Sequence, residues 1–224
     1  RNISSDTSTL TYSNLFKLNK IKTIDKIDTG SNISLGFDYK INNLNENNEI
    51  KHEQFKFSLG QVISADENRD MPSKSTLNEK MSDIIGEVAL NLNENIKISN
   101  NFLLDQNLKE FNKNQIDLGI VYPKTSFNIS FLEESQHIGN TKYIETKAGF
   151  NFSNGIISLG AKRNLLSNSA EFYDLSYEYI NDCLKAGVAF RREFYRDRDL
   201  EPEDSLFFKI TFSPLGTITS PDAN

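Results

Sequence analysis

The chain has 224 residues with 16 Phe, 8 Tyr and no Trp, enough for one large β domain or two small ones. A mean hydropathy of −0.51, with no stretch near the roughly 18 consecutive apolar residues of a spanning helix, excludes a helical membrane protein. The net charge of −6 argues against a nucleic-acid partner, for which a basic face is expected.

A membrane barrel survives these tests, because its strands turn alternate residues toward lipid and toward a wet interior, and the mean stays unremarkable. The chain begins at Arg1 without an initiator Met, a charged leader or an apolar leader core, so it is expected to be a fragment or excised domain of a longer protein.

In chain order, the first candidate strand is 10–18, with Leu10, Tyr12, Asn14 and Phe16 on one face. Next come 33–41 with Ile33, Leu35, Phe37, Tyr39 and Ile41, and 55–63 with Phe55, Phe57, Leu59 and Gln61. Alternation is clearest at 83–92, where Ile84, Gly86, Val88, Leu90 and Leu92 oppose Ile85, Glu87, Ala89 and Asn91. After Asn93-Glu94-Asn95 it resumes at 96–104 with Ile96, Ile98, Asn100, Phe102 and Leu104, which predicts a tight hairpin. The unit repeats as 116–122 and 125–133 around Pro123-Lys124, then as 143–152 and 156–163 around Ser153-Asn154-Gly155. It repeats again as 172–180 and 183–193 around Asn181-Asp182, and a last strand is expected at 205–213.

Short turns thus alternate with longer polar connections, about 105–115, 134–142, 164–171 and 194–204. Outer-membrane barrels have this asymmetry, with short periplasmic turns and longer extracellular loops, and each run is near the roughly 9 to 11 residues that cross a bilayer. The expected fold is all-β: about twelve up-and-down antiparallel transmembrane strands of an incomplete barrel spanning 1–224, with both ends facing the periplasm. The segment 42–54 is then an unusually long periplasmic turn.

In 183–193 the row Leu184, Ala186, Val188 and Phe190 is expected to face lipid, because placing Lys185 there at the midplane costs about 2 to 4 kcal/mol. Tyr122, Tyr173, Tyr177 and Tyr179 lie near strand ends, either as a headgroup girdle or as ordinary β-formers. Cys183 has no second thiol in the chain and either stays free or pairs outside it.

Several stretches, in order, resemble the LptD (OstA/Imp) family of lipopolysaccharide-assembly outer-membrane proteins. They are Asn14-Leu15-Phe16, Asp25-Lys26, Gly30-Ser31-Asn32, Leu35-Gly36-Phe37-Asp38-Tyr39, Phe57-Ser58-Leu59-Gly60-Gln61 and Ser82-Asp83-Ile84-Ile85-Gly86-Glu87. The most specific are Tyr177-Glu178-Tyr179, Asn181-Asp182-Cys183-Leu184, Arg191-Arg192-Glu193-Phe194, Asp197-Arg198-Asp199, Glu201-Pro202, Phe207-Phe208-Lys209-Ile210-Thr211-Phe212 and Leu215-Gly216.

The resemblance implies the C-terminal half of a Gram-negative outer-membrane barrel that inserts lipopolysaccharide into the outer leaflet and is not an enzyme. The implied partners are lipopolysaccharide, outer-membrane lipids, the plug lipoprotein LptE and, through an N-terminal domain outside this chain, the bridge protein LptA. A passive diffusion porin or a structural barrel is the alternative, and a soluble β-sandwich the third. Cys183 matches a family cysteine that bonds to the periplasmic domain, although many relatives carry two adjacent cysteines where this chain has Leu184 next. By the same resemblance Leu206, Phe208, Ile210, Phe212 and Pro214 belong to a seam through which lipid leaves sideways; Pro214 equally suits a simple strand end.

No cofactor is expected. His52 and His137 are isolated and read as surface residues, and no phosphate loop, nucleophile elbow or dinucleotide fingerprint occurs. The carboxylates Glu133, Glu134, Asp197, Asp199, Glu201, Glu203 and Asp204 sit on expected loops, solvated by default or organising ions or sugar phosphates. Arg191, Arg192, Arg196 and Arg198 cluster at one strand end, either as candidate headgroup contacts or paired with those acids.

Overall fold

A computed structural model describes residues 10–20, 30–44, 50–68, 71, 76–135, 140–194, 203–212 and 216–219. The strands are β1 (Asn32–Leu44), β2 (Ile50–Ser64), β3 (Ile84–Asn93), β4 (Ile96–Leu104), β5 (Phe111–Tyr122) and β6 (Thr125–Glu134). They continue as β7 (Thr141–Phe152), β8 (Gly155–Asn164), β9 (Ser169–Ile180), β10 (Leu184–Glu193), β11 (Glu203–Phe212) and β12 (Gly216–Thr219). All twelve lie in one sheet in chain order, with β1 and β12 at the ends of the order. An all-β, antiparallel sheet, unclosed among the described residues, is therefore what the chain forms.

Two expectations need correction. Residues 10–18 form no strand; Asn14 and Leu15 donate their N–H groups back to the Thr11 carbonyl at 3.1 Å, so the backbone turns rather than extends. A short strand, β12, follows β11 and pairs Thr219 to Gly216 with Lys209 to Phe212, so 205–213 is not the last strand. Among the described strands in this up-and-down order, β1 starts at the end bearing the long connections and β12 heads toward that same end.

The strands also run further into polar sequence than side-chain alternation suggested. Pairing of β1 with β2 continues through Asn42↔Glu53, Asn43↔His52 and Leu44↔Ile50 past two register shifts, because backbone ladders need no apolar side chain. The connection there shrinks to 45–49, which removes the anomaly of the long turn. Short turns at 94–95, 123–124, 153–154 and 181–183 alternate with 65–83, 105–110, 135–140, 165–168 and 194–202.

Asparagine fixes several of these connections. Asn93 Oδ1 accepts from the N–H groups of Asn95 and Ile96 at 2.9 Å, and Asn181 Oδ1 accepts from Cys183 at 3.0 Å and Leu184 at 2.7 Å. Such side-chain mimicry of a turn satisfies backbone donors that would otherwise go unpaired.

The chain divides into two units, Arg1–Ile116 with Leu132–Thr141, and Asp117–Phe131 with Lys142–Asn224. In the first, the row Ile33, Leu35, Phe37, Tyr39 and Ile41 on β1 continues across Phe55, Phe57 and Leu59 of β2 and Val88 and Leu90 of β3. The opposite rows carry Ser34, Asp38 and Lys40, then Lys56 and Ser58, then Glu87. In the second, Leu175 and Tyr177 of β9, Val188 and Phe190 of β10, and Phe208 and Leu206 of β11 share the apolar face. Leu35, Phe37, Leu206 and Phe208 are all more than half exposed. Contiguous exposed rows of this kind are costly against water and natural against hydrocarbon.

Glycine on the apolar face is covered by aromatics. The Phe102 ring of β4 lies directly over Gly86 of β3, where any Cβ would collide with it. The ring stands in for the missing side chain and keeps that face of the strand pair apolar.

Candidate functional site

The polar face of the first unit is not bare. Residues 10–20 lie across it, and Gly36 and Gly60, register partners on β1 and β2, make room: a Cβ on Gly36 would meet Phe16, and one on Gly60 would meet Leu15. Polar anchors hold the segment there. The Tyr12 hydroxyl donates to Asp38 Oδ2 at 2.7 Å, Ser34 Oγ donates to the Leu15 carbonyl at 2.8 Å, and Lys20 Nζ donates to Asn32 Oδ1 at 2.8 Å. Asp38 Oδ1 accepts in turn from the buried Ser58 hydroxyl at 2.5 Å.

Under this cover Leu10, Leu15, Val62, Met71, Leu77, Ile85 and Leu103 form one buried cluster with Tyr12 packed against it. Val62, Ile85 and Leu103 are apolar intrusions on otherwise polar rows, and the segment explains them: they are the positions it buries. Met71 and Leu77 come from the 65–83 connection, so two chain segments close over the same patch. A cavity of about 330 Å³ remains beside Leu10 to Ser13, lined also by Glu87, Asn101 and Lys113.

Asp83, one residue ahead of β3, is enclosed at the edge of this cluster. Asn112 Nδ2 donates to its Oδ2 at 2.8 Å, and its own N–H donates to Thr76 Oγ1 at 3.0 Å. Burial pushes its carboxyl up to about 6; the neighbouring charges of Asp105 and Glu79 push the same way, while the Asn112 hydrogen bond pulls it down.

Elsewhere the polar face is laced with cross-strand ion pairs: Lys56 with Glu87 at 2.9 Å in the first unit, and Lys162 with Glu171 at 2.6 Å in the second. Lys162 Nζ also stands 4.2 Å from the Tyr143 ring centroid.

Arg191 and Arg192 point to opposite faces. Arg191 is bidentate to Asp174 on β9, Nε to Oδ1 at 2.6 Å and Nη2 to Oδ2 at 2.9 Å, on the polar side. Arg192 shares the row of Val188 and Phe190 and is bidentate to Asp204 on β11, both bonds 2.6 Å. Each acid is the register partner of its arginine, which brings both guanidiniums onto acids of the neighbouring strands. Arg196 and Arg198 lie outside the described residues, as do Asp197, Asp199, Glu201, Pro214 and His137.

Cys183 is exposed and unbridged in the 181–183 turn, one residue before β10 rather than within it. His52 is half-buried in β2, with its Nε2 3.1 Å from Asn43 Nδ2 and its Nδ1 without a partner among the described residues. Among the described residues no three His, Cys, Asp or Glu side chains converge as metal ligands. Of the expected seam row, Leu206, Phe208 and Phe212 are exposed on β11 and Ile210 is half-buried. Among the described residues, β12 pairs only with Lys209 to Phe212, leaving the β11 edge from Glu203 to Phe208 without a strand.

Sequence reasoning missed the 10–20 cover, the Tyr12–Asp38–Ser58 chain and the Asp83–Asn112 pair. The signal was present in Gly36 and Gly60 on facing polar rows, and in Ile85 and Leu103 where polar residues belonged.

The family profile described as LptD, LPS transport system D, matches residues 2–160, well over half of the chain. A comparison with curated proteins finds no match.

Proposed function

Because the chain belongs to the LPS transport system D family, whose work is lipopolysaccharide transport at the outer membrane, we propose that it forms the C-terminal part of a β-barrel translocon. In this proposal the barrel inserts lipopolysaccharide into the outer leaflet. The observation that carries it is the separation of faces, exposed apolar rows on one side and ion-paired or polar rows on the other. The cover of 10–20 over the polar face favours dedicated transport over passive diffusion, since it obstructs solvent on the side where an open pore would need water.

The finer parts rest on the family resemblance. The polar face meets an interior plug lipoprotein, LptE, and cargo arrives from the periplasmic bridge protein LptA through a domain outside this chain. Cys183 bonds to a cysteine of that domain, and its exposed place in a short turn fits such a bond. Cargo leaves beside β11, whose edge from Glu203 to Phe208 has no strand partner among the described residues, so that few ladder bonds there need to break.

Depletion of the full-length protein tests the proposal. Newly made lipopolysaccharide is expected to stop reaching the cell surface and to accumulate inward of the outer membrane. Unchanged surface lipopolysaccharide together with reduced small-solute flux would overturn it in favour of a porin.

A further inference from the structure

The apolar face of the second unit is not uniform. On β7 and β8 the facing positions Thr146↔Ala161 and Ala148↔Leu159 include three small residues, and they form the floor of a trough walled by Phe127, Tyr173 and Phe190. The lining is almost wholly carbon. One register step beyond Ala161 on the same row stands Arg163, opposite Ile144, beside the 165–168 connection.

Arg163 is unlike the other arginines described. Where Arg191 and Arg192 each clasp a carboxylate with two donors, Arg163 is exposed and places only Nη2 on a neutral acceptor, Asn168 Oδ1, at 2.7 Å. Among the described residues it meets no carboxylate. A guanidinium has five N–H donors in a planar fork that matches a phosphate, so most of its capacity is uncommitted. Tyr173, on the row level with Thr146 and Ala161, adds a phenol at the same height, and its register partner Arg192 forms the neutralised pair with Asp204.

The combination is a hydrocarbon groove with, one register step beyond Ala161 of its floor, a cation that meets no carboxylate among the described residues, at the end of the strands that carries the longer connections. We propose that this face of β7–β10 binds a phosphorylated, acylated sugar lipid of the outer leaflet. One acyl chain lies over Ala148 and Ala161, and a phosphate sits on the Arg163 guanidinium. The proposal depends on the membrane orientation given above, but it places a lipid on the outer wall rather than along a transport path. Charge complementarity selects the occupant: a neutral lipid fills the trough without engaging Arg163, whereas a phosphate on a sugar also uses the hydroxyl and amide groups of Tyr173 and Asn168.

The test uses the full-length protein in living cells, with the photo-reactive residue p-benzoylphenylalanine replacing Leu175 in the trough or Ser158 on the polar face. Adducts are detected with antibody to lipopolysaccharide and weighed by mass spectrometry. Leu175 is expected to give a glycolipid adduct that falls about tenfold in Arg163→Ser, the loss anticipated for a hydrogen bond to a charged group. Arg163→Lys should retain part of it, and heat-modifiable mobility on gels checks that each variant is folded. Phospholipid adducts alone at Leu175, or a glycolipid adduct indifferent to Arg163→Ser, would overturn the site. Glycolipid captured at Ser158 but not at Leu175 overturns this site while leaving transport intact; absence at Ser158 with capture at Leu175 counts against transport and supports the site.

Discussion

Asp83 carries a carboxyl that burial disfavours in its charged form, and the folded protein therefore binds its proton more tightly than the unfolded chain does. With the folded value about 6 against 3.8, its contribution to stability is fully present below 3.8 and is lost as pH rises through about 6. Asp83→Asn keeps an acceptor for Asn112 without the charge, so it is expected to raise the thermal midpoint of the full-length protein at pH 7, with the gain vanishing below 3.8. Calorimetry across that range checks it. Leu15 is fully buried, and Leu15→Ala removes the side chain that fills the space left by Gly60. A local loss of about 2 to 5 kcal/mol is expected. Hydrogen exchange should show it as earlier opening of 10–20, with β9 and β10 unchanged. At Cys183, Cys183→Ser is expected to abolish a mobility difference between reduced and unreduced full-length protein on denaturing gels; no difference in the parent would remove the proposed bond.

At the scale of elements, facing is decided by register. Val188 pairs with Tyr177 and Phe208 on the apolar side, and Ala189 with Ser176 and Phe207 on the other. Val188→Arg near the middle of β10 should cost about 2 to 4 kcal/mol of folding in lipid, and Ala189→Arg far less. Equal effects in bilayer refolding titrations would mean that the faces are misassigned. The strand from Ile84 to Asn93 was legible because alternation holds from Glu87 to Leu92 and its turn is an asparagine-held pair. The segment 10–18 was not, because Leu10, Tyr12, Asn14 and Phe16 also alternate, yet Leu15 between them is the most deeply buried of that segment. A turn-rich segment that packs on a sheet produces spaced apolar residues by a different route, and period two alone cannot separate the two. The short β12 escaped notice for the opposite reason: four residues, Gly216 to Thr219, are too few to show a period.

For the molecule as a whole, the sequence by itself determined the class of fold. Side chains alternate along every strand, so which residues face one way is set locally by the pleat, and the run of turns and longer connections sets the up-and-down order. The same local rule anticipated exposed rows such as Leu206, Phe208 and Phe212, and left open whether Arg191 and Arg192 hold acids or ligands. The tertiary structure adds their acid partners, because Asp174 and Asp204 lie 17 and 12 residues away from their arginines and meet them through strand register. It also decided that 10–20 folds over the polar face, where Val62, Ile85 and Leu103 wait on three different strands. Burial there depends on side chains brought together from Leu10 to Leu103, and a contact between distant segments leaves no periodic mark in either one.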